Sequence, residues 1–151
     1  QTRQFYRLLD LLRERFPHGE FESCASGGGR IDFEVLKRTH RFWASDNNDA
    51  LERCTIQRGM SYFFPPEVMG AHIGHRRCHA TFRQHSIAFR GLTALFGPMG
   101  LELDPVAADA KESDGYRRYA LLYKEWRQLI HTGVLWRVDM PDPSIQVQGV
   151  V

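Results

Sequence analysis

The segment Trp43-Ala44-Ser45-Asp46-Asn47-Asn48-Asp49 gathers an indole, two carboxylates and two amides in one short stretch. That mixture suits a polyhydroxylated ligand. An aromatic ring can lie on the apolar face of a sugar, amides and carboxylates can meet its hydroxyls, and a carboxyl can give or take a proton. The two acids differ in their other employment. Asp49 precedes Ala50-Leu51-Glu52 in a capping-box pattern, so its expected task is to cap a helix. Asp46 has no such task and is the candidate acid or base.

A second segment, Cys24-Ala25-Ser26-Gly27-Gly28-Gly29-Arg30, carries three successive glycines. These permit a backbone to approach a ligand closely with bare N–H groups, and they serve equally as a plain turn. A phosphate cradle fails on pattern, because neither Gly-x-Gly-x-x-Gly nor Gly-Lys-Ser/Thr occurs here. Arg30 is expected either to clamp an anion or to pair with Asp32 or Asp46. A third group, His72-Ile73-Gly74-His75-Arg76-Arg77-Cys78-His79, holds three histidines and a cysteine. The two arginines between them oppose a metal cation, so solvated or core histidines are expected and no metal.

The elements that must position these groups follow from periodicity. Phe5, Leu8, Leu9, Leu12 and Phe16 predict a helix stopped by Pro17-His18-Gly19. A short strand over Phe21–Ala25 leads into the glycine loop, and a helix from near Asp32 carries Phe33 and Leu36. A strand over Arg41–Ser45 leads into the Asp46 loop, and a third helix starts at Asp49. Val68–Ile73 reads as a strand, and residues from about Ala80 to Phe96 as a long helix with Ala88, Phe89, Leu92 and Leu95 on one stripe. Met99–Leu103 is a further strand. The last helix places Tyr116, Tyr119, Ala120, Tyr123, Trp126 and Ile130 on one face and ends at Gly133. Strands and helices thus alternate about four times, which implies parallel strands with helical crossovers in an α/β fold. A doubly wound domain of this size and half of a (β/α)8 barrel both fit, since a whole barrel needs about 250 residues. After Gly133 the pattern changes. Val134 to Val138, the turn at Pro141-Asp142-Pro143 and Ile145 to Gln148 alternate at period two, as at the start of an antiparallel β domain.

Composition narrows the function classes. The chain of 151 residues has a net charge of +2, with both signs interspersed, and offers no footprint for nucleic acid or an anionic membrane. No apolar run approaches the roughly 18 residues of a membrane span. Three widely spaced cysteines, Cys24, Cys54 and Cys78, fit a reducing compartment better than a disulfide framework. The start at Gln1 lacks a signal-peptide h-region and runs directly into helical periodicity, and the end falls within a strand-like stretch. Both ends read as cuts within a longer chain.

Four stretches, in this order, resemble the α-galactosidases of glycoside hydrolase family 36. They are Phe21 to Asp32, Phe42 to Arg53, Pro65-Pro66-Glu67-Val68-Met69-Gly70, and Leu101-Glu102-Leu103-Asp104-Pro105. The first two, at their mutual spacing, are the most specific. The resemblance implies a (β/α)8 TIM barrel, with residues 1–133 forming its C-terminal half of about four βα units and residues 134–151 beginning a C-terminal antiparallel β domain. It implies retaining hydrolysis of terminal α-galactosides of the melibiose and raffinose type, with no metal or cofactor, in a cytoplasmic homo-oligomer, often a tetramer. Asp46 matches the family's general acid/base, Cys24 a residue that contacts the sugar, Gly27 a glycine of the same loop at the ligand, and Trp43 an aromatic lining the site. The family's nucleophile lies in a Lys-Trp-Asp tripeptide on an earlier strand, and no such tripeptide occurs in this chain. Asn48 stands where Thr is more usual, and His75 where Pro is usual. A non-catalytic carbohydrate-binding module and a nucleotide-binding α/β domain using Gly27 to Gly29 are the rival readings. The presence of Asp46 favours the enzyme over the first, and the missing phosphate motif disfavours the second.

Overall fold

The computed structural model describes all residues from Gln1 to Val151. Helix α1 (Thr2–Arg15) stops just ahead of Pro17, which cannot continue a helix without a clash. Of its apolar stripe only Leu9 is buried, while Leu8 and Phe16 stay about half exposed. Polar contacts tie it to the segment that follows. The Tyr6 hydroxyl donates to Asp32 at 3.2 Å, and Arg38 donates to Asp10 at 2.8 Å.

Four βα units come next. Strand β1 (Glu22–Ser23) leads to α2 (Phe33–Leu36), β2 (Arg41–Trp43) to α3 (Ala50–Met60), β3 (Met69–Gly74) to α4 (Ile87–Thr93), and β4 (Met99–Glu102) to α5 (Ala110–Thr132). Side-chain caps begin each of these four helices. Asp32 accepts from the Val35 N–H, Asp49 from Leu51 and Glu52, Ser86 from Phe89, and Asp109 from Glu112. The strands form one sheet in the order β1-β2-β3-β4, and every neighbouring pair is parallel. Four units are half the number that closes a (β/α)8 barrel. Two further strands, β5 (Leu135–Val138) and β6 (Val147–Val150), form a separate antiparallel pair.

The register gives the sheet two unlike faces. Phe42, Met69, Ala71 and Ile73 alternate onto the helix-covered side and form two apolar clusters. One contains Phe42, Ala44, Phe64 and Met69; the other contains Ala71, Ile73, Ala94 and Tyr119. On the opposite side the same alternation places Glu22, Arg41, Trp43, His72 and Glu102, with Gly70 and Gly100 between them. No helix of the chain is long and apolar enough to cross a membrane.

Four expectations need correction. The long helix expected from Ala80 begins only at Ile87. The residues before it make an excursion instead. Arg77 and Gln84 form an antiparallel bridge, Cys78 N–H donates to the Arg83 carbonyl at 2.9 Å, and Phe82 takes φ +61°. The Ser86 cap then starts the helix. Its buried side is also not the apolar stripe: Arg90, Gly91 and Ala94 face inward, while Ala88 is exposed and Leu92 about half exposed. Gly91 is chosen because the Tyr119 ring of α5 lies where a side chain would stand, and Arg90 because it pairs with Glu112 and donates to the Gly74 carbonyl at 2.6 Å. On α5, Trp126 of the expected stripe is likewise exposed. The second strand after Gly133 starts two residues late, because Asp142 holds Ser144 and Ile145 in a turn, accepting from their N–H groups at 2.9 and 3.1 Å.

Both outer strands of the sheet, β1 and β4, have an unpaired edge, and unpaired edges template association. The 151-residue polypeptide on its own is therefore expected to self-associate. Size-exclusion chromatography with light scattering should give broad, concentration-dependent peaks, and a sharp monomer at all concentrations would contradict this.

Candidate functional site

Parallel strands send all their C-terminal ends to one edge, and that edge carries the loops with unusual chemistry. The β1 exit holds the glycine run, the β2 exit holds Asp46, and the β3 exit is the excursion over residues 75–86.

The first two loops touch. Gly27 has φ +65°, and a Cβ on it would lie 2.7 Å from both the Asp46 amide nitrogen and the Ser45 Cα. A Cβ on Gly28 would sit 2.6 Å from the Ala44 carbonyl oxygen. The glycine run is thus both a turn, closed by Gly29 N–H on the Ala25 carbonyl at 3.1 Å, and a close approach. The partner approached is the backbone under Asp46. Arg30 pairs with neither Asp32 nor Asp46; its guanidinium lies 4.3 Å from the centre of the Phe5 ring.

The side chains around Asp46 are all occupied. The Ser45 hydroxyl accepts from the Asn47 N–H at 3.1 Å, and the Asn47 carbonyl oxygen accepts from the Asp49 N–H at 3.1 Å. Asn48 donates to Glu102 at 3.0 Å. Asp46 itself is exposed and bonds to nothing else in the chain. Its carboxyl is left at the mouth of the edge, beside the glycine wall.

Beneath it lies Arg53, 1% exposed. This α3 side chain donates to the Ser45 carbonyl at 3.2 Å and to the Gly70 carbonyl at 2.8 Å, and sits 4.2 Å from the Trp43 ring centre. Burial pushes its guanidinium down to about 10, against the opposing charges of Glu102 and Glu22, so it stays cationic at neutral pH. Trp43 is 7% exposed and stacks on His72 with ring centres 4.2 Å apart. Packed against His72 and Arg53, it leaves little of its surface open. Cys24 is exposed, at the start of the glycine loop, and its thiol is free.

The histidine group separates. His72 faces Glu102 at 3.4 Å, His75 accepts from the Arg77 N–H at 3.3 Å, and Cys78 is buried with its sulfur 4.0 Å from the Asn47 side-chain oxygen. No three His, Cys, Asp or Glu side chains converge as metal ligands.

Several participants escaped the sequence reading. Glu102 joins Asn48 to His72 across 54 and 30 positions of sequence. Thr81 and His85 both reach Asp49, which is 0% exposed. Burial raises the Asp49 carboxyl, but hydrogen bonds from Thr81, the Glu52 and Leu51 amides and His85 outweigh it and hold the group at about 2, against 3.8 for a free aspartate. Only the capping role of Asp49 had a local signal.

A depressed folded-state value stabilises the fold above the unfolded value and loses that stabilisation as pH falls through the folded one. For Asp49 the window runs from about 4 down to about 2. Thermal melts of the wild type and Asp49→Asn should differ by a constant amount from neutral pH to pH 5, and the gap should narrow below pH 4. A gap that does not change with pH would overturn this assignment.

Comparison with known proteins brings the site into context. Residues 1–133 match the family described as Melibiase. The chain is 98% identical over its whole length to an α-galactosidase of Escherichia coli, of which it spans 21%. It is 38% identical over 136 residues to the bifunctional α-galactosidase/sucrose kinase AgaSK of Mediterraneibacter gnavus. The solved galactosidase domain of AgaSK superposes with a TM-score of 0.87, covering 89% of this chain and 19% of that one. The family 36 α-galactosidase AgaA of Geobacillus stearothermophilus, solved as a doubly substituted variant in complex with raffinose, superposes with a TM-score of 0.86 at 37% identity, covering 91% of this chain and 19% of that one. At these identities the four βα units are part of the (β/α)8 barrel of such enzymes. The chain spans 21% of the length of the Escherichia coli relative and 14% of full-length AgaSK.

Proposed function

The chain belongs to the melibiase family, and on that footing we propose that it is the acid/base-bearing portion of a retaining α-galactosidase, with Asp46 as the proton donor. The observation that carries this reading is the position of Asp46. It alone in its loop has an unpartnered side chain, exposed at the C-terminal edge of the sheet and backed by the Gly27 wall. The raffinose complex of AgaA supports galactosides of that type as substrates.

In the reaction, a carboxylate from outside these residues attacks the anomeric carbon while the glycosidic C–O bond breaks, and the Asp46 proton goes to the departing oxygen. Asp46, now a carboxylate, then takes a proton from the water that attacks the covalent intermediate. Galactose leaves with its configuration retained, and Asp46 is again protonated. Retention requires the two carboxyls to stand about 5–5.5 Å apart, so the attacking group must approach the exposed side of Asp46. Two carboxyl groups do this chemistry without a metal or cofactor. Gly27 and Cys24 border the sugar from the β1 exit, and Trp43 holds the floor.

Residues 134–151 begin a β domain, which fits the separate β5–β6 pair. Free cysteines at positions 24, 54 and 78 support a reducing, cytoplasmic setting. Assembly of the full-length enzyme into a homo-oligomer, such as a tetramer, is carried over from the family.

Two measurements test the function. In the full-length context, Asp46→Asn should slow hydrolysis of raffinose by about 10²–10⁴-fold. Galactosylation of the enzyme by aryl galactosides with good leaving groups should suffer less, because those need less protonation. A uniform loss, or none, would point to another acid. The 151-residue polypeptide alone should not turn over aryl α-galactosides, and turnover free of contaminating enzyme would contradict the two-carboxylate assignment.

A further inference from the structure

We infer that Thr81 and His85 are positioning residues for Asp46, acting through a buried tether at Asp49. This rests on the acid/base reading of Asp46 and extends it to the β3 exit loop, which takes part in no other step described above.

A helix cap needs only one side-chain oxygen. In Asp49, Oδ1 fills that need, accepting from the Leu51 and Glu52 amides at 2.9 and 3.3 Å. The remaining bonds leave the helix. The Thr81 hydroxyl donates to Oδ2, and His85 Nε2 lies 3.0 Å from Oδ1. Arg83 adds a longer contact, 3.5 Å from Oδ1, and its own N–H donates to the Thr81 hydroxyl at 3.3 Å. With Asp49 ionised above about pH 2, His85 must carry its proton on Nε2 to make its bond. The cap therefore doubles as a cross-link from the β2 exit to the β3 exit, spanning 32 and 36 positions of sequence.

The tether transmits because the loop between it and Asp46 has no slack. The Asp49 N–H is bonded to the Asn47 side chain, and the Asn47 N–H to the Ser45 hydroxyl. The Ser45 carbonyl is bonded to Arg53, and Gly27 blocks the other side of the Ser45–Asp46 backbone. Movement of Asp49 thus passes to Asp46 by a short chain of bonds against a fixed wall. A displacement of about 1 Å at a reacting group can lower the rate by about 10²-fold. The excursion that interrupts the expected helix from Ala80 exists, on this account, to deliver Thr81 and His85 to Asp49.

The test uses the full-length enzyme and a series of substrates differing in leaving-group acidity, from raffinose to nitrophenyl galactosides. Thr81→Val and His85→Asn should lower kcat/KM for raffinose about tenfold or more, and lower it little for the most acidic leaving groups. The inhibition constant of galactose should stay near the wild-type value, and melting temperatures report any general loss of fold. Thr81→Ser, which keeps the hydroxyl, should restore the wild-type pattern. A loss spread evenly over all leaving groups, or failure of Thr81→Ser to rescue, would overturn the inference. Asp46→Asn run in the same series separates the two ideas. If it lacks leaving-group dependence, the acid/base reading fails; if it shows that dependence and the Thr81 and His85 variants do not, the tether alone fails.

Discussion

A buried guanidinium organises this edge of the sheet. Arg53 joins the carbonyl of Ser45, just past the end of β2, to that of Gly70 in β3, and stacks on Trp43. Removing a cation from water costs less when its donors are met; these carbonyls take an N–H from each terminal nitrogen, while Nε stays buried without a partner. The strands must therefore leave the sheet at a set separation, and the Asp46 loop starts from an anchored carbonyl. Trp43, held between Arg53 and His72, becomes part of the floor rather than a free platform. A lysine here could not bridge both carbonyls with the same planar geometry.

Above that floor, the Asp46 loop is stable because its other members are fully bonded. Asn47, Asn48 and Asp49 each engage a different neighbour, and the glycine run lies against the backbone. The Asp46 backbone is thereby held from both sides, while its carboxyl stays exposed and unpaired. The same economy explains the two faces of the sheet. Burial of Phe42, Met69, Ala71 and Ile73 against helices drives folding, so the opposite face is released to carry Glu22, Arg41, His72 and Glu102. Of these, Glu102 ends β4 and bonds Asn48 at the β2 exit, whereas Glu22 and Arg41 begin their strands and pair with each other.

Periodicity and capping were legible in the sequence to different depths. The order of four strands and helices, the Asp49 cap and the strand pair after Gly133 all follow from short-range patterns, because a cap or an alternating strand is decided within a few residues. The start of α4 was not. The stretch from Ala80 looks helical locally, yet Thr81 and His85 are drawn to Asp49 and Phe82 adopts φ +61°. The inward face of that helix was also hidden, since Gly91 and Arg90 are selected by Tyr119 and Glu112 of a different helix.

By itself, the sequence determined that a glycine run and an aspartate loop leave consecutive strands, since residue type and spacing suffice to place both at one edge. Only the tertiary structure decided what they do to each other. The glycines press on the Asp46 backbone, Arg53 lies beneath it, and Thr81 and His85 brace it through Asp49. These contacts join residues far apart in the chain, so no local propensity encodes them. They arise when packing brings parallel strand ends together, where most buried polar groups find partners.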